Sequence, residues 1–167
     1  MSLINSALAI WLSLNPPSQC VENCTTSEIG LSLIRQFEGY SPFVYKDAVG
    51  KPTIGYGHLM LPGEKFAEPL MQGDAEALLK KDIAPRERAV NAMVRVSLHS
   101  GQFDALVSFV YNLGGGSLQR SGLLKKVNRA EHESVPPEFE KWAYAGGKKL
   151  RGLEIRREAE AMLYKGG

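Results

Sequence analysis

Cysteine, histidine and net charge are all scarce in this chain, and each scarcity removes a class of function. The two cysteines, Cys20 and Cys24, stand four apart in CVENC. They form neither a CxxC redox pair nor half of a zinc set, and two cysteines cannot make a disulfide framework. Their spacing permits one local bridge or two plain thiols. Three histidines, none in an HExxH pattern, argue against a catalytic zinc centre. No Ser or Cys sits in an activated-nucleophile motif, and Gly114, Gly115 and Gly116 lack the lysine and hydroxyl of a phosphate-binding loop. No cofactor or metal is expected. A formal net charge of +2 gives little reason to expect nucleic acid, yet it is compatible with an anionic polymer bound mainly by shape.

Long hydrophobic runs are also missing. The longest apolar start is LINSALAIWLSL, residues 3 to 14, followed by Asn15, Pro16 and Pro17. That is shorter than the roughly 20 residues of a secure membrane span, and no Lys or Arg precedes it to make the basic flank of a signal peptide. Residues 1–24 are therefore set apart as an apolar segment and linker, either a shortened export signal or a packing helix. Residues 25–167 read as one domain.

What is present is the composition of a globular protein, 44% hydrophobic and 23% charged over 167 residues. Thr25 and Glu28 fit a capping box that opens a helix with Ile29, Leu33, Ile34 and Phe37 on its apolar face, and Gly39 stops it. From Phe43 to Met60 the pattern changes to short strand-like pieces broken by Gly50, Pro52, Gly55 and Gly57, as in a small antiparallel hairpin or sheet. A longer helix begins near Gln72 with Leu78, Leu79 and Ile83, and Pro85 is expected to interrupt it or start the next. The second half reads as helices: Phe103 to Tyr111 before LGGGS, then Leu123 to Val127, then Phe139 with Trp142. A last helix over about residues 152 to 164 uses Leu153, Ile155, Ala159, Met162 and Leu163. The expected class is α+β and predominantly helical, with a small hairpin lobe and a larger helical lobe around a cleft able to hold a polymer.

Glu38 and Asp47 are the candidate reactive pair. Glu38 falls at a helix C-terminus, where the helix dipole opposes negative charge, and Phe37, Tyr40 and Phe43 are close in sequence to reduce its hydration. Asp47 falls on a polar turn. One acid that holds a proton beside one that stays ionised is what glycosidic cleavage requires. An unaided acid pair nine positions apart reads equally as a solvated helix-end Glu and a turn-forming Asp.

Their setting is more specific. FEGYSPFVYKDAVGKPTIGYGHLM resembles the catalytic segment of the phage-type lysozymes, glycoside hydrolase family 24, which includes T4-like and P21-like endolysins. The family's Glu, Asp and Thr, followed by G-x-G-H, are matched by Glu38, Asp47, Thr53, Gly55, Gly57 and His58. The resemblance continues through LLKKDI, FDALVSFVYNLGGGSL and FEKWAYAGGKKLRGLEIRREAE, covering about residues 28 to 163. It implies a lysozyme-like fold and a muramidase that cuts the β-1,4 bond between N-acetylmuramic acid and N-acetylglucosamine in peptidoglycan, during host lysis. Glu38 takes the place of the general acid, Asp47 of the carboxylate that activates water, and Thr53 of the residue that holds that water. Inversion is implied, with carboxylates roughly 6.5 to 9.5 Å apart. The resemblance also pairs His58 with Asp82 as structural support, while Gly55 and Gly57 permit tight turns and close substrate approach.

Six basic residues between Lys141 and Arg157 stand against the single acid Glu154. They read as a solvated helical face or as a surface that attracts the anionic wall, with Tyr144, Lys148 and Arg151 as candidate substrate contacts. The enzymatic alternative is a lytic transglycosylase, which uses no water and leaves a 1,6-anhydro product; the non-enzymatic one is a silent wall-binding module. A monomer is expected. Delivery has two accounts: a cytoplasmic pool released by a holin, or transit to the periplasm with transient inner-membrane association through a signal-anchor segment.

Overall fold

The computed structural model describes residues 19–20, 23–47 and 49–166. The apolar run 3–14 and most of the 1–24 segment lie outside the described residues. Strand β1 (Gln19–Cys20) pairs antiparallel with a short strand before the central helix, Leu98–His99. Cys24 is disulfide-bonded, and its backbone N–H and C=O are both held by the Asn91 side-chain amide, at 3.1 and 2.9 Å.

Helix α1 (Glu28–Glu38) is capped by Ser27 rather than by Thr25. The Ser27 hydroxyl accepts from the N–H groups of Ile29 and Gly30, at 3.2 and 3.4 Å. Tertiary contacts override the local capping box. Glu87 accepts the Thr26 N–H at 2.6 Å, and Asp104 accepts both the Ser27 N–H at 2.9 Å and the Ser27 hydroxyl. The buried stripe of α1 is Gly30, Leu31 and Ile34. A methyl group at Gly30 would come within 2.6 Å of the Asp104 carboxyl carbon, so the helix start lies directly on this acid.

After α1 comes an antiparallel sheet of three strands, β2 (Ser41–Lys46), β3 (Pro52–Gly55) and β4 (His58–Leu59), in that order. The register sets Tyr45 opposite Thr53, Thr53 opposite Leu59, and Ile54 opposite His58. This is the small lobe. Helix α2 (Gln72–Met93) leads out of it and runs straight through Pro85, contrary to the expected break. A helix-interior proline leaves one carbonyl without its N–H partner; here the burial of Ala75, Leu78, Leu79, Ile83 and Val90 on one side of the helix offsets that loss.

The larger lobe is built around α3 (Ser100–Leu113), reached through β5 (Leu98–His99). Every α3 residue from Gly101 to Val110 is buried. His99 opens α3 through a capping box with Gln102. Helices α4 (Gly115–Arg120), α5 (Gly122–Val127) and α6 (Pro136–Glu140) follow, then the hairpin β6 (Tyr144–Ala145) and β7 (Lys148–Lys149), and the last helix α7 (Arg151–Lys165). Helix α3 packs against α1, α2 and α7, and Phe103, Leu106, Phe109, Leu118, Phe139 and Tyr164 lie in one apolar core. The α+β class, the small sheet lobe and the larger helical lobe are as expected.

The face of α7 is not as expected. Ile155 and Met162, read as core residues, are 42% and 44% exposed, while Arg156, Arg157 and Glu160 are buried with Ala161, Leu163 and Tyr164. Arg156 and Arg157 therefore belong neither to a solvated face nor to a wall-attracting surface. Each has a buried acid to satisfy it, which permits charge on the inward side.

Asp104 makes a pH-dependent prediction. Burial pushes its carboxyl up to about 6 from an ordinary 3.8, against the hydrogen bonds from Ser27 and Gly30, with Glu87 adding to the rise. An acid raised in the folded state binds more protons folded than unfolded across that window, so its contribution to stability falls as pH rises through it. Thermal unfolding of wild type and Asp104→Asn at a series of pH values should show wild type losing ground to the variant between pH 3.8 and about 6, then a constant difference above. A pH-independent difference would contradict this.

Candidate active site

Glu38 is the last residue of α1. Gly39 ends the helix with φ 70°, a left-handed conformation that favours glycine, and its N–H bonds the Arg35 carbonyl at 3.0 Å. The Glu38 side chain reaches across to α7, where Arg156 Nη1 donates to its Oε1 at 2.7 Å. Its other oxygen faces Gly57: a methyl group there would stand 3.4 Å from Oε2. The expected apolar enclosure is mostly absent, because Tyr40 and Phe43 are exposed. Tyr40 instead donates its hydroxyl to the Leu70 carbonyl, and the Phe37 ring lies 5.4 Å from the Arg156 guanidinium that holds Glu38.

Arg156 is the part of the site that sequence reading missed. Its Nη2 donates to the Ser108 carbonyl at 3.3 Å and its Nε to Glu160 Oε1 at 3.3 Å. Glu160 also accepts from the Ser108 hydroxyl at 2.7 Å and from Arg157 Nη2 at 3.0 Å. Arg157 Nε and Glu160 Oε2 stand 2.9 Å apart in charge contact without hydrogen-bond alignment. Burial pushes the Glu160 carboxyl up and the Arg157 guanidinium down; each charge opposes the other's shift. The sequence did carry a signal. Arg156, Glu160, Leu163 and Tyr164 follow the spacing of one helical face, so a charge pair four apart continues an apolar stripe.

Asp47 follows β2 and shapes the turn into β3. Its Oδ1 accepts the N–H groups of Val49 at 2.9 Å and Lys51 at 2.8 Å, while its own backbone pairs with Lys51 and Gly50. One carboxylate oxygen is thus fixed by the turn. Among the described residues no hydrogen-bond partner takes Oδ2, which leaves it able to accept from water. Thr53 is buried on β3 and its hydroxyl donates to the Lys51 carbonyl at 3.2 Å. Tyr45 lies opposite Thr53 in the sheet, and burial first, then the charges of Glu38 and Asp47, push its phenol up. Both carboxylates therefore bear on one hydroxyl.

A cavity of about 370 Å³ opens between the lobes beside Glu38, lined also by Gly57, Leu59, Arg86, Tyr111 and Asn112. Its lining does not include Asp47 or Thr53, which stand on the hairpin alongside. His58 is on the cavity wall, with Nδ1 at 2.9 Å from Asp82 and Nε2 at 3.1 Å from Glu64. The Asp82 contact joins the sheet to α2; Glu64 is a second partner not foreseen from sequence. Gly55 (φ 66°) packs against Ala75 and Leu70 rather than facing the cleft. Tyr144 and Lys148 are exposed on the β6–β7 hairpin, and Arg151 is engaged by Glu154 at 2.8 Å. None of these three lines the cavity.

Comparison with known proteins bears on what such a cleft does. The family model described as phage lysozyme matches residues 35–160. The chain is 39% identical over 124 residues to the SAR-endolysin of Bacteriophage PS119, covering 72% of this chain and 71% of that protein. It is 38% identical over 142 residues to the endolysin of Acyrthosiphon pisum secondary endosymbiont phage 1, covering 83% and 96%. Among solved structures, the muramidase domain of SpmX from Asticaccaulis excentricus superposes with a TM-score of 0.76 at 33% identity, covering 84% of this chain and 97% of that one. A P22 lysozyme variant gives 0.77 at 30% identity, covering 85% and 99%.

The His58 site predicts a titration. Burial works against the imidazolium, but the hydrogen bonds and charges of Glu64 and Asp82 outweigh it, and the ring is raised above 6.5. Acids at both ring nitrogens make both of them donors. A raised histidine contributes stability that is full below its unfolded value and lost as pH rises through the folded one. NMR titration should place His58 above 6.5 and show a fall in both Asp82→Asn and Glu64→Gln. An unchanged midpoint in Asp82→Asn would refute the pairing.

Proposed function

The chain belongs to the phage lysozyme family, and from that premise we infer that it is a muramidase that hydrolyses bacterial peptidoglycan for host lysis. It is a glycoside hydrolase acting on the cell wall, at the β-1,4 bond between N-acetylmuramic acid and N-acetylglucosamine. The observation that carries the reading is the Glu38 carboxyl, anchored through one oxygen and facing an interlobe cleft with the other.

In the proposed mechanism Glu38 gives its proton to the departing glycosidic oxygen, so the bond breaks without expelling an alkoxide. Asp47 uses Oδ2 to orient and deprotonate a water on the far face of the sugar, and the turn that holds Oδ1 keeps that direction fixed. The Thr53 hydroxyl donates to the Lys51 carbonyl, which leaves its oxygen lone pairs to accept from the same water. Water attack opposite the leaving group yields an inverted product. A transglycosylase has no use for a water-holding pair, which favours hydrolysis.

For delivery, we propose that the apolar run 3–14 acts as a signal-anchor segment carrying the enzyme to the periplasm with transient inner-membrane association. The likeness to a protein named SAR-endolysin supports this over holin release of a cytoplasmic pool. Among the described residues no helix is long and apolar enough to cross a membrane. Fractionation of host cells before lysis distinguishes a periplasmic membrane-attached protein from a soluble cytoplasmic pool.

Digestion of purified peptidoglycan with mass and anomeric analysis of the products tests the chemistry. Reducing muramic acid ends of inverted configuration are expected. Glu38→Gln should remain folded and lose on the order of 100-fold or more in rate; Asp47→Asn and Thr53→Ala should each slow the reaction with the fold intact. Anhydro ends would replace hydrolysis by transglycosylation. Full activity in folded Glu38→Gln would remove Glu38 from its role.

A further inference from the structure

Glu160 touches no cleft surface and has no part in the chemistry above, yet its carboxylate is completely enclosed. A buried ion network gains little net stability over apolar residues of the same volume, so packing alone is a weak reason for its presence. Its contacts supply a better one. Through Oε1 it meets Arg156 on α7, the Ser108 hydroxyl on α3, and Arg157.

We propose that Glu160 is a positioning residue for hydrolysis: through Arg156, it sets the place and orientation of the Glu38 carboxyl in the cleft. The inference rests on the reading of Glu38 as the general acid. The Arg156 guanidinium is planar and presents its donors in a rigid fork. Each of its three nitrogens has a different acceptor: Nε takes Glu160, Nη2 the Ser108 carbonyl, and Nη1 Glu38. Two of those contacts point into the protein and only one toward the cleft. The inner pair therefore fixes the plane of the fork, and the plane fixes where Glu38 is held.

Ser108 reinforces the arrangement twice, its hydroxyl holding Glu160 and its carbonyl holding Arg156. Arg157 shares Glu160 and extends through Nη2 to the Asn112 side chain at 3.1 Å, a second residue of the cavity wall. Without the Glu160 charge, Arg156 and Arg157 would repel each other across the vacated site. The fork would turn or move outward, and Glu38 would keep its partner but lose its direction. A misplacement of about 1 Å at a reacting group costs on the order of 100-fold.

The test is steady-state kinetics on soluble, uncross-linked peptidoglycan strands at a temperature well below unfolding. Glu160→Gln should lower kcat by about 100-fold with KM near wild type. Ser108→Ala, which keeps every charge and removes one hydrogen bond to Glu160, should lower kcat by about 10-fold. Combined with Arg156→Lys, Ser108→Ala should add little further loss, because both act through one guanidinium. Should Glu160→Gln fail to fold, Ser108→Ala and its combination with Arg156→Lys decide the matter. Wild-type kcat in Ser108→Ala, losses that multiply in the double variant, or an effect confined to KM would overturn the proposal. Loss of activity in Glu38→Gln alongside any of those results would leave the general-acid reading standing, whereas an active Glu38→Gln would remove the premise itself.

Discussion

Glu38 and Arg156 are 118 residues apart in the chain and 2.7 Å apart in space. Much of the larger lobe serves that contact. Helix α3 lies between α1 and α7 and packs against both, so its apolar length sets the separation across which the carboxyl and the guanidinium meet. Two buried cations on α7 would be intolerable alone. They are accommodated because Glu160 supplies an opposing charge, and Glu38, Ser108 and Asn112 accept the remaining guanidinium donors. A geometry that closes only when all of these parts are in place has one arrangement rather than several, which suits the role proposed for Glu38.

The hairpin that carries Asp47 and Thr53 is built by shorter-range means. Asp47 draws its own turn around itself through Val49, Gly50 and Lys51, and Thr53 is fixed by strand pairing with Tyr45 and Leu59. Long-range contacts then attach this hairpin lobe to the helices: His58 to Asp82 on α2, Tyr111 to the Tyr56 carbonyl at 3.1 Å, and Tyr40 to the Leu70 carbonyl. Glu38 is thus anchored by distant residues, and Asp47 and Thr53 by near ones. Their meeting depends on the lobe junction.

Asp104 and Ser27 show the same competition between near and far. The sequence TTSE offers a local capping box at Thr25, but a buried acid from α3 takes hold of Ser27 and moves the helix start two residues on. Likewise, Pro85 carries a local penalty that the long apolar face of α2 outweighs. Residues Ile155 and Met162 are apolar at helical spacing and still face outward, because the neighbouring charges have partners waiting inside the protein.

The order of elements, the strand-like character of residues 43–60, the helical second half and the position of Glu38 at a helix end were determined by the chain alone, since periodicity and glycine placement act within a few residues. The candidate trio Glu38, Asp47 and Thr53 was also legible in the chain, but through its resemblance to the phage-type lysozymes rather than through spacing alone. What only the tertiary structure decided is which groups meet the site residues: Arg156 on Glu38, Glu64 beside His58, and Tyr45 within the field of both acids. The first joins residues 118 apart in the chain, a separation that carries no period. It arises from how α1, α3 and α7 pack and from the need of a buried guanidinium for acceptors. The other two are closer in sequence but depend on how the chain folds back on itself around the small sheet.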